Sequence, residues 1–177
     1  MKNELGLIHI YCGNGKGKTT AAIGLALRAL GFGFQVVVVQ FLKDGNSSEL
    51  KALKMFPNAT VISGKDVAGF SFKMTDDQKQ IVKENHNQHL KSAIELCQNE
   101  QCDVLILDEV LDAVNLELID YNMLIEFIKN KSSHIEIIMT GRNPKKELVD
   151  LADYISNVTK EKHPYDQGIK ARGGIEI

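Results

Sequence analysis

No charge of one sign dominates the sequence. Its 177 residues carry 21 lysines and arginines against 23 aspartates and glutamates, for a formal net charge of −2 at pH 7. No basic field therefore argues for a nucleic-acid partner. No apolar run approaches the ~20 residues of a membrane-spanning helix, so no membrane partner is expected. Cysteine is scarce and odd in number, at three. With no signal-peptide pattern ahead of them, the three read as reduced thiols of a cytoplasmic protein. Cys97 and Cys102 have no histidine or second cysteine pair nearby to complete a zinc set. They read as small buried apolar residues. An internal repeat, a low-complexity tract and a domain boundary are also absent. Hydrophobic residues at 44% and charged residues at 25% are ordinary for a globular chain. The length suits one domain, 1–177, with a sheet covered by helices.

One further absence is local. "CGNGKGKTT", residues 12–20, ends like the phosphate-binding pattern G-x-x-x-x-G-K-[ST], with Gly17, Lys18 and Thr19 in place. Where the first glycine belongs stands Cys12, and Gly13 makes the loop one residue short. The stretch still sits in the required context. "LIHIYC" (7–12) reads as a strand ahead of it, and "TTAAIGLALRALG" (19–31) as a helix behind it, ended by Gly31 and Gly33.

Strands and helices then alternate to the end. "QVVVVQF" (35–41) has the β-branched run of a strand buried on both faces. "KDGNSSE" (43–49) is loop, followed by a short helix ending before Pro57, and "ATVIS" (59–63) is a third strand. Thr75, with Asp76 and Asp77 behind it, opens a long helix over 75–98. "DVLILDEV" (103–110) is a strand ending in two carboxylates. A helix near 120–130, a strand "IEIIMTG" (135–141), a helix over 144–152 and a last strand near 154–159 complete the series. This predicts an α/β fold: a mostly parallel sheet in three layers, with helices on both faces. Ligands in such folds bind at the C-terminal ends of the strands, where the Gly-rich loop, "QFLK", "LDE" and "TGR" all fall.

The chemistry follows from residue type and place. Gly13, Gly15 and Gly17 let the main chain approach a ligand, and the N–H groups from Gly13 through Asn14, Lys16 and the helix start form an anion cradle. Lys18 suits bridging phosphate oxygens, the Thr19 hydroxyl suits magnesium, and Thr20 adds a hydroxyl. Asp108 or Glu109, closing "VLILDE", would hold Mg²⁺ directly or through water. Arg142 in "TGR" would brace phosphates or be a plain surface arginine. Lys16, Lys43 and Lys170 are weaker candidates. His9 reads as a core or sheet-face histidine, and His86 and His89 as solvent-exposed. Phe70 and Phe72 in "GFSF" share a face if that segment is extended; from composition alone they are rings folded onto the core. The residues themselves thus point to a Mg-nucleotide enzyme or switch of the P-loop class.

"GNGKGKTTAA", "VVQFLK", "GF-x-F", "LDE", "TGR", "DLAD" and "KHPYDQGIKARGGIE" together resemble, in this order and over nearly the whole chain, the P-loop-type ATP:corrinoid (cob(I)alamin) adenosyltransferases. The resemblance implies a RecA-like P-loop fold and transfer of the 5′-deoxyadenosyl group of ATP to the Co(I) of a reduced corrinoid. Tripolyphosphate is the leaving group, in adenosylcobalamin synthesis or salvage. It implies ATP lying in the loop in the reverse sense to ordinary P-loop NTPases. By the same resemblance Gly13 to Thr20 bind the triphosphate, Thr19 and Glu109 bind magnesium, Arg142 assists the phosphates, and Phe70 and Phe72 line the lower face of the corrin ring. A flavodoxin- or ferredoxin-like electron donor and a homodimer are implied as well. Members of the family often carry an N-terminal extension that helps cover the active site; here six residues precede the first strand. The second aromatic of "GF-x-aromatic" is often Trp there and is Phe72 here. The alternatives are a P-loop ATPase or nucleotide kinase, and a nucleotide-dependent corrinoid-binding regulator.

Overall fold

The structure, a computed structural model, describes residues 4–64 and 74–176. Phe70 and Phe72 lie outside the described residues. Six strands, β1 (Ile8–Cys12), β2 (Val36–Gln40), β3 (Ala59–Ser63), β4 (Val104–Asp108), β5 (Glu136–Thr140) and β6 (Tyr154–Asn157), form one sheet in the order β3-β2-β4-β5-β1-β6. Every pairing is parallel, from Val36 opposite Val104 to Ile8 opposite Ile137 and Ile10 opposite Ile155. All six C-terminal strand ends therefore point to one rim.

Alternation along the strands sorts the core into two layers. Val36 and Val38 with Val104, Ile106 and Ile138 pack under α1 (Lys18–Phe32) and α2 (Ser48–Leu53). The intervening residues, among them Val37, Val39, Leu105, Leu107, Ile137 and Met139, pack on the other face under α3 (Asp76–Gln98), α4 (Val110–Asn115), α5 (Tyr121–Asn130) and α6 (Lys146–Leu151). Each central strand feeds both cores, which is why its sequence is continuously apolar.

α1 lies close against the sheet because its buried face is small: Ala22, Ala26 and Ala29, with Leu30. It runs through Gly31 and stops at Gly33, whose left-handed backbone (φ 102°) lets its N–H reach the Ala29 and Leu30 carbonyls. At its other end Gly17 offers no side-chain cap, and the first turn holds no acid. The cap therefore gives its first amide groups no side-chain acceptor. α3 begins in a capping box: Gln78 N–H donates to the Thr75 hydroxyl at 3.3 Å and Thr75 N–H to the Gln78 side chain at 2.9 Å.

Two expectations are corrected here. Val110 does not extend the fourth strand: the strand stops at Asp108, Glu109 turns left-handed (φ 61°), and Val110 starts α4, a helix of six residues. His86 is not solvent-exposed. It lies on the buried stripe Val82, His86, Leu90, Ala93 and Cys97 of α3. Its Nδ1 is 2.9 Å from the Leu118 carbonyl and its Nε2 accepts the Leu42 N–H at 3.2 Å. His89 is half-buried on the same helix. His9 is the sheet-face histidine expected, paired with Glu136 at 2.6 Å and stacked on Tyr154. Cys97 and Cys102 are buried.

Candidate active site

The loop after β1 is held from behind by the chain leaving β6. Gly15 N–H donates to the Val158 carbonyl at 2.8 Å, and Lys160 N–H donates to the Asn14 side chain at 2.9 Å. The glycines make that approach possible. A Cβ on Gly13 (φ 111°) would be forced onto the Val158 carbonyl, and one on Gly15 would stand 2.7 Å from the Thr159 carbonyl. Gly17 meets nothing within 4 Å but has φ 120°, so its role is the turn into α1. Cys12 needs no such freedom. It is the last residue of β1, buried and paired with Asn157, and the turn begins one residue later at Gly13. The Lys18 ammonium folds over the loop onto the Gly15 carbonyl at 2.8 Å.

The acidic pair ending β4 divides into two environments. Asp108 is 1% exposed and accepts four hydrogen bonds. Thr19 and Thr140 donate to its Oδ1 at 2.8 Å each, Gln40 to its Oδ2 at 3.2 Å, and Lys43 to Oδ2 at 3.1 Å. Burial lowers the Lys43 ammonium, but Asp108, with Glu109 and Glu49 behind it, holds it above the usual lysine value. Glu109 faces the cavity, its N–H held by the Thr140 hydroxyl at 2.8 Å. Burial, reinforced by the Asp108 charge, pushes its carboxyl up to about 7. The two carboxylates thus differ: one is saturated with donors, while burial and its neighbour's charge favour the proton on the other.

Arg142 follows β5 in a turn that α4 holds in place. Its backbone N–H donates to Asp112 at 3.0 Å, and Asn115 donates to its carbonyl at 2.9 Å. Asn14 through Thr20, Glu109 and Arg142 line one cavity of about 680 Å³. Gly13 shapes the turn behind that wall, and Asp108 sits under it. Lys16, Lys43 and Lys170, weak candidates by sequence, line it too. The far wall is the tail from His163 to Glu176, including a 3-10 turn at Pro164–Gln167. Six cationic side chains (Lys16, Lys18, Lys43, Arg142, Lys170, Arg172) face three carboxylates (Glu49, Glu109, Glu176) in this cavity. A net positive pocket in a chain of net charge −2 is suited to a polyanion. Sequence reasoning missed Gln40, Thr140 and Asp112, which order the acids and Arg142, and Arg172 in the tail. Gln40 and Thr140 each end a strand at the rim, and that place was the available signal.

Among the described residues no group of three or more His, Cys, Asp or Glu stands ready to hold a metal. The donor set of one hydroxyl and one or two carboxylates fits magnesium nonetheless, since that ion takes few protein ligands and fills its shell with phosphate and water.

The model of the ATP:corrinoid adenosyltransferases BtuR/CobO/CobP matches residues 4–177. A corrinoid adenosyltransferase of a Sinorhizobium species is 31% identical over 99% of this chain and 82% of its own. The corrinoid adenosyltransferase CobA of Salmonella typhimurium is 31% identical over 99% of this chain and 87% of its own. Among solved structures, the flagellar accessory protein FlaH of Methanocaldococcus jannaschii superposes with a TM-score of 0.54 at 20% identity, over 86% of this chain and 70% of that one. The cytoplasmic domain of EssC gives 0.54 at 22% identity, over 97% of this chain and 37% of that one. These two likenesses concern the fold alone.

Proposed function

The chain belongs to the ATP:corrinoid adenosyltransferase family, and from that premise we propose how its residues divide the work of moving an adenosyl group from ATP to a corrinoid. The acceptor is the Co(I) of a reduced corrinoid, which attacks the ribose C5′ carbon, and the whole tripolyphosphate leaves. The observation that carries this reading is the cavity itself, with a Gly-rich anion cradle on one wall and cations on the others.

Co(I) is a strong nucleophile, so the protein needs no base to activate it. Its tasks are to align C5′ and to stabilise charge on the departing chain. The amides from Gly13 to Thr20 and the open N-terminus of α1 bind phosphate oxygens. Lys18 leaves the Gly15 carbonyl for them, and Arg142 braces them from the β5 side. Thr19 and Glu109 would hold magnesium, with Asp108 beneath orienting Thr19 and Lys43. When bound, the ion neutralises charge on the leaving chain. A flavodoxin- or ferredoxin-like protein supplies the electron, and the working unit is a homodimer. By the family resemblance, Phe70 and Phe72 would line the lower face of the corrin ring, where apolar rings would exclude water and ease reduction of the cobalt.

Anaerobic incubation with ATP, Mg²⁺ and chemically reduced cobalamin, followed by absorbance and phosphorus NMR, tests the reading. Adenosylated product with intact tripolyphosphate is expected. ADP with orthophosphate, and no adenosylated corrinoid, would assign the site to an ATPase instead. Phe70→Ala and Phe72→Ala should slow transfer strongly when a mild protein reductant must generate Co(I), and less with a strong chemical reductant. Equal rates with the mild reductant, in variants that melt like the parent, would return both rings to the core.

A further inference from the structure

The tail that forms the far wall of the cavity already holds an anion there, one of its own. Arg172 Nη2 donates to Glu176 Oε1 at 2.8 Å, Arg172 Nε to Oε2 at 3.1 Å, and the Arg172 backbone N–H to the same Oε2 at 2.9 Å. Both residues line the cavity. The Glu176 side chain is 19% exposed and that of Arg172 58%. Lys16, from the phosphate loop, adds its charge to Arg172 in favouring the Glu176 carboxylate. Loop and tail therefore face one cavity, with Lys16 on the loop side, and a guanidinium of the tail grips the carboxylate with two parallel donors. That fork fits phosphate as well as carboxylate. The arginine end of the pair is more than half exposed, so solvent screens the pair and weakens its hold. A phosphate oxyanion in Glu176's place would keep both donors occupied and bring more charge to Lys16.

We propose that Glu176 is the resident occupant of a phosphate subsite made by Arg172 and Lys16, and that a bound polyphosphate displaces it and draws the tail onto the loop. The inference rests on the adenosyl-transfer reading for the identity of the anion, a nucleoside triphosphate or the tripolyphosphate it leaves behind. Glu176 then acts as a competitor that keeps the tail ordered between turnovers and weakens retention of the leaving chain.

The test is calorimetric titration of inorganic tripolyphosphate, in the presence of Mg²⁺, into the full chain and its variants, with thermal melts for folding. Glu176→Gln should tighten binding about two- to fivefold, the range set by an exposed ion pair. Arg172→Gln should weaken it roughly tenfold through loss of a charged donor fork. The double variant should bind like Arg172→Gln alone, because the competitor matters only while its arginine is present. Glu161→Gln removes the same charge from an exposed tail position outside the cavity wall and should change affinity little. Equal tightening by Glu161→Gln and Glu176→Gln would reduce the effect to overall charge and overturn the subsite. So would unchanged binding in both Arg172→Gln and Glu176→Gln. A parent protein that transfers adenosyl groups but shows these null results loses the subsite alone; one that binds no tripolyphosphate loses the polyphosphate reading with it.

Discussion

Lys18 and Glu109 both line the cavity, and the protein itself sets the state of each. Lys18 spends its ammonium on the Gly15 carbonyl, so Lys18→Ala should leave the melting curve nearly unchanged. It should nevertheless lower kcat/KM by about 1.5–3 kcal/mol of lost charged contact. Kinetics indistinguishable from the parent would remove Lys18 from the site. For Glu109 the folded value of about 7 lies above the ordinary 4.5. The folded state then binds the proton more tightly than the unfolded chain. Its contribution to stability is full below about 4.5, falls as pH rises from there to about 7, and is lost above. Melting temperatures of the ligand-free protein across that window should fall with pH, and Glu109→Gln should flatten the slope. An unchanged slope would place the titration elsewhere. Arg172 could not be picked out from the sequence, where it is one of 21 basic residues, and Lys43 stood there only as a weak candidate. What distinguishes Lys43 is a buried carboxylate 65 positions away, and pattern within a short window carries no such information.

Elements were legible where one face or both faces of the chain had a consistent environment. β2 and β4 show it as unbroken apolar runs, and α3 as an acidic start with a Thr75 cap. α4 was not legible, because six residues complete too few turns to display a period, and its Val110 continues the apolar run of the strand before it. His86 was misread for a related reason: polarity was weighed ahead of its spacing from Val82 and Leu90. Within elements the glycines also separate by cause. Gly31 lies inside α1 with open space around its would-be Cβ and no left-handed backbone. Gly31→Ala should therefore stabilise the protein by about 0.5–1 kcal/mol. Gly15→Ala drives a methyl into the Thr159 backbone and should destabilise the loop and abolish ATP binding. Paired melts and ATP titrations read both; a stabilised, ATP-binding Gly15→Ala protein would contradict the loop geometry.

At the scale of the molecule, layers and rim were readable from alternation and the glycine loop, but not the order of the strands. Nothing local in "LIHIYC" says that β1 will lie between β5 and β6. That placement governs when the protein can first become a nucleotide binder during synthesis. Of the six strands β1 leaves the ribosome earliest, yet both its neighbours leave last, and the bond fixing Asn14 to Lys160 spans 146 positions. At about 5–20 residues per second, translation must run on the order of ten seconds more before the loop has a wall to rest on. ATP should then stabilise a finished chain but not a nascent one. Ribosome-stalled chains ending before β6 should fail to cross-link a photoreactive ATP analogue that full-length released chains capture. Labelling of the stalled chains would mean that the loop forms its cradle without the support of β6.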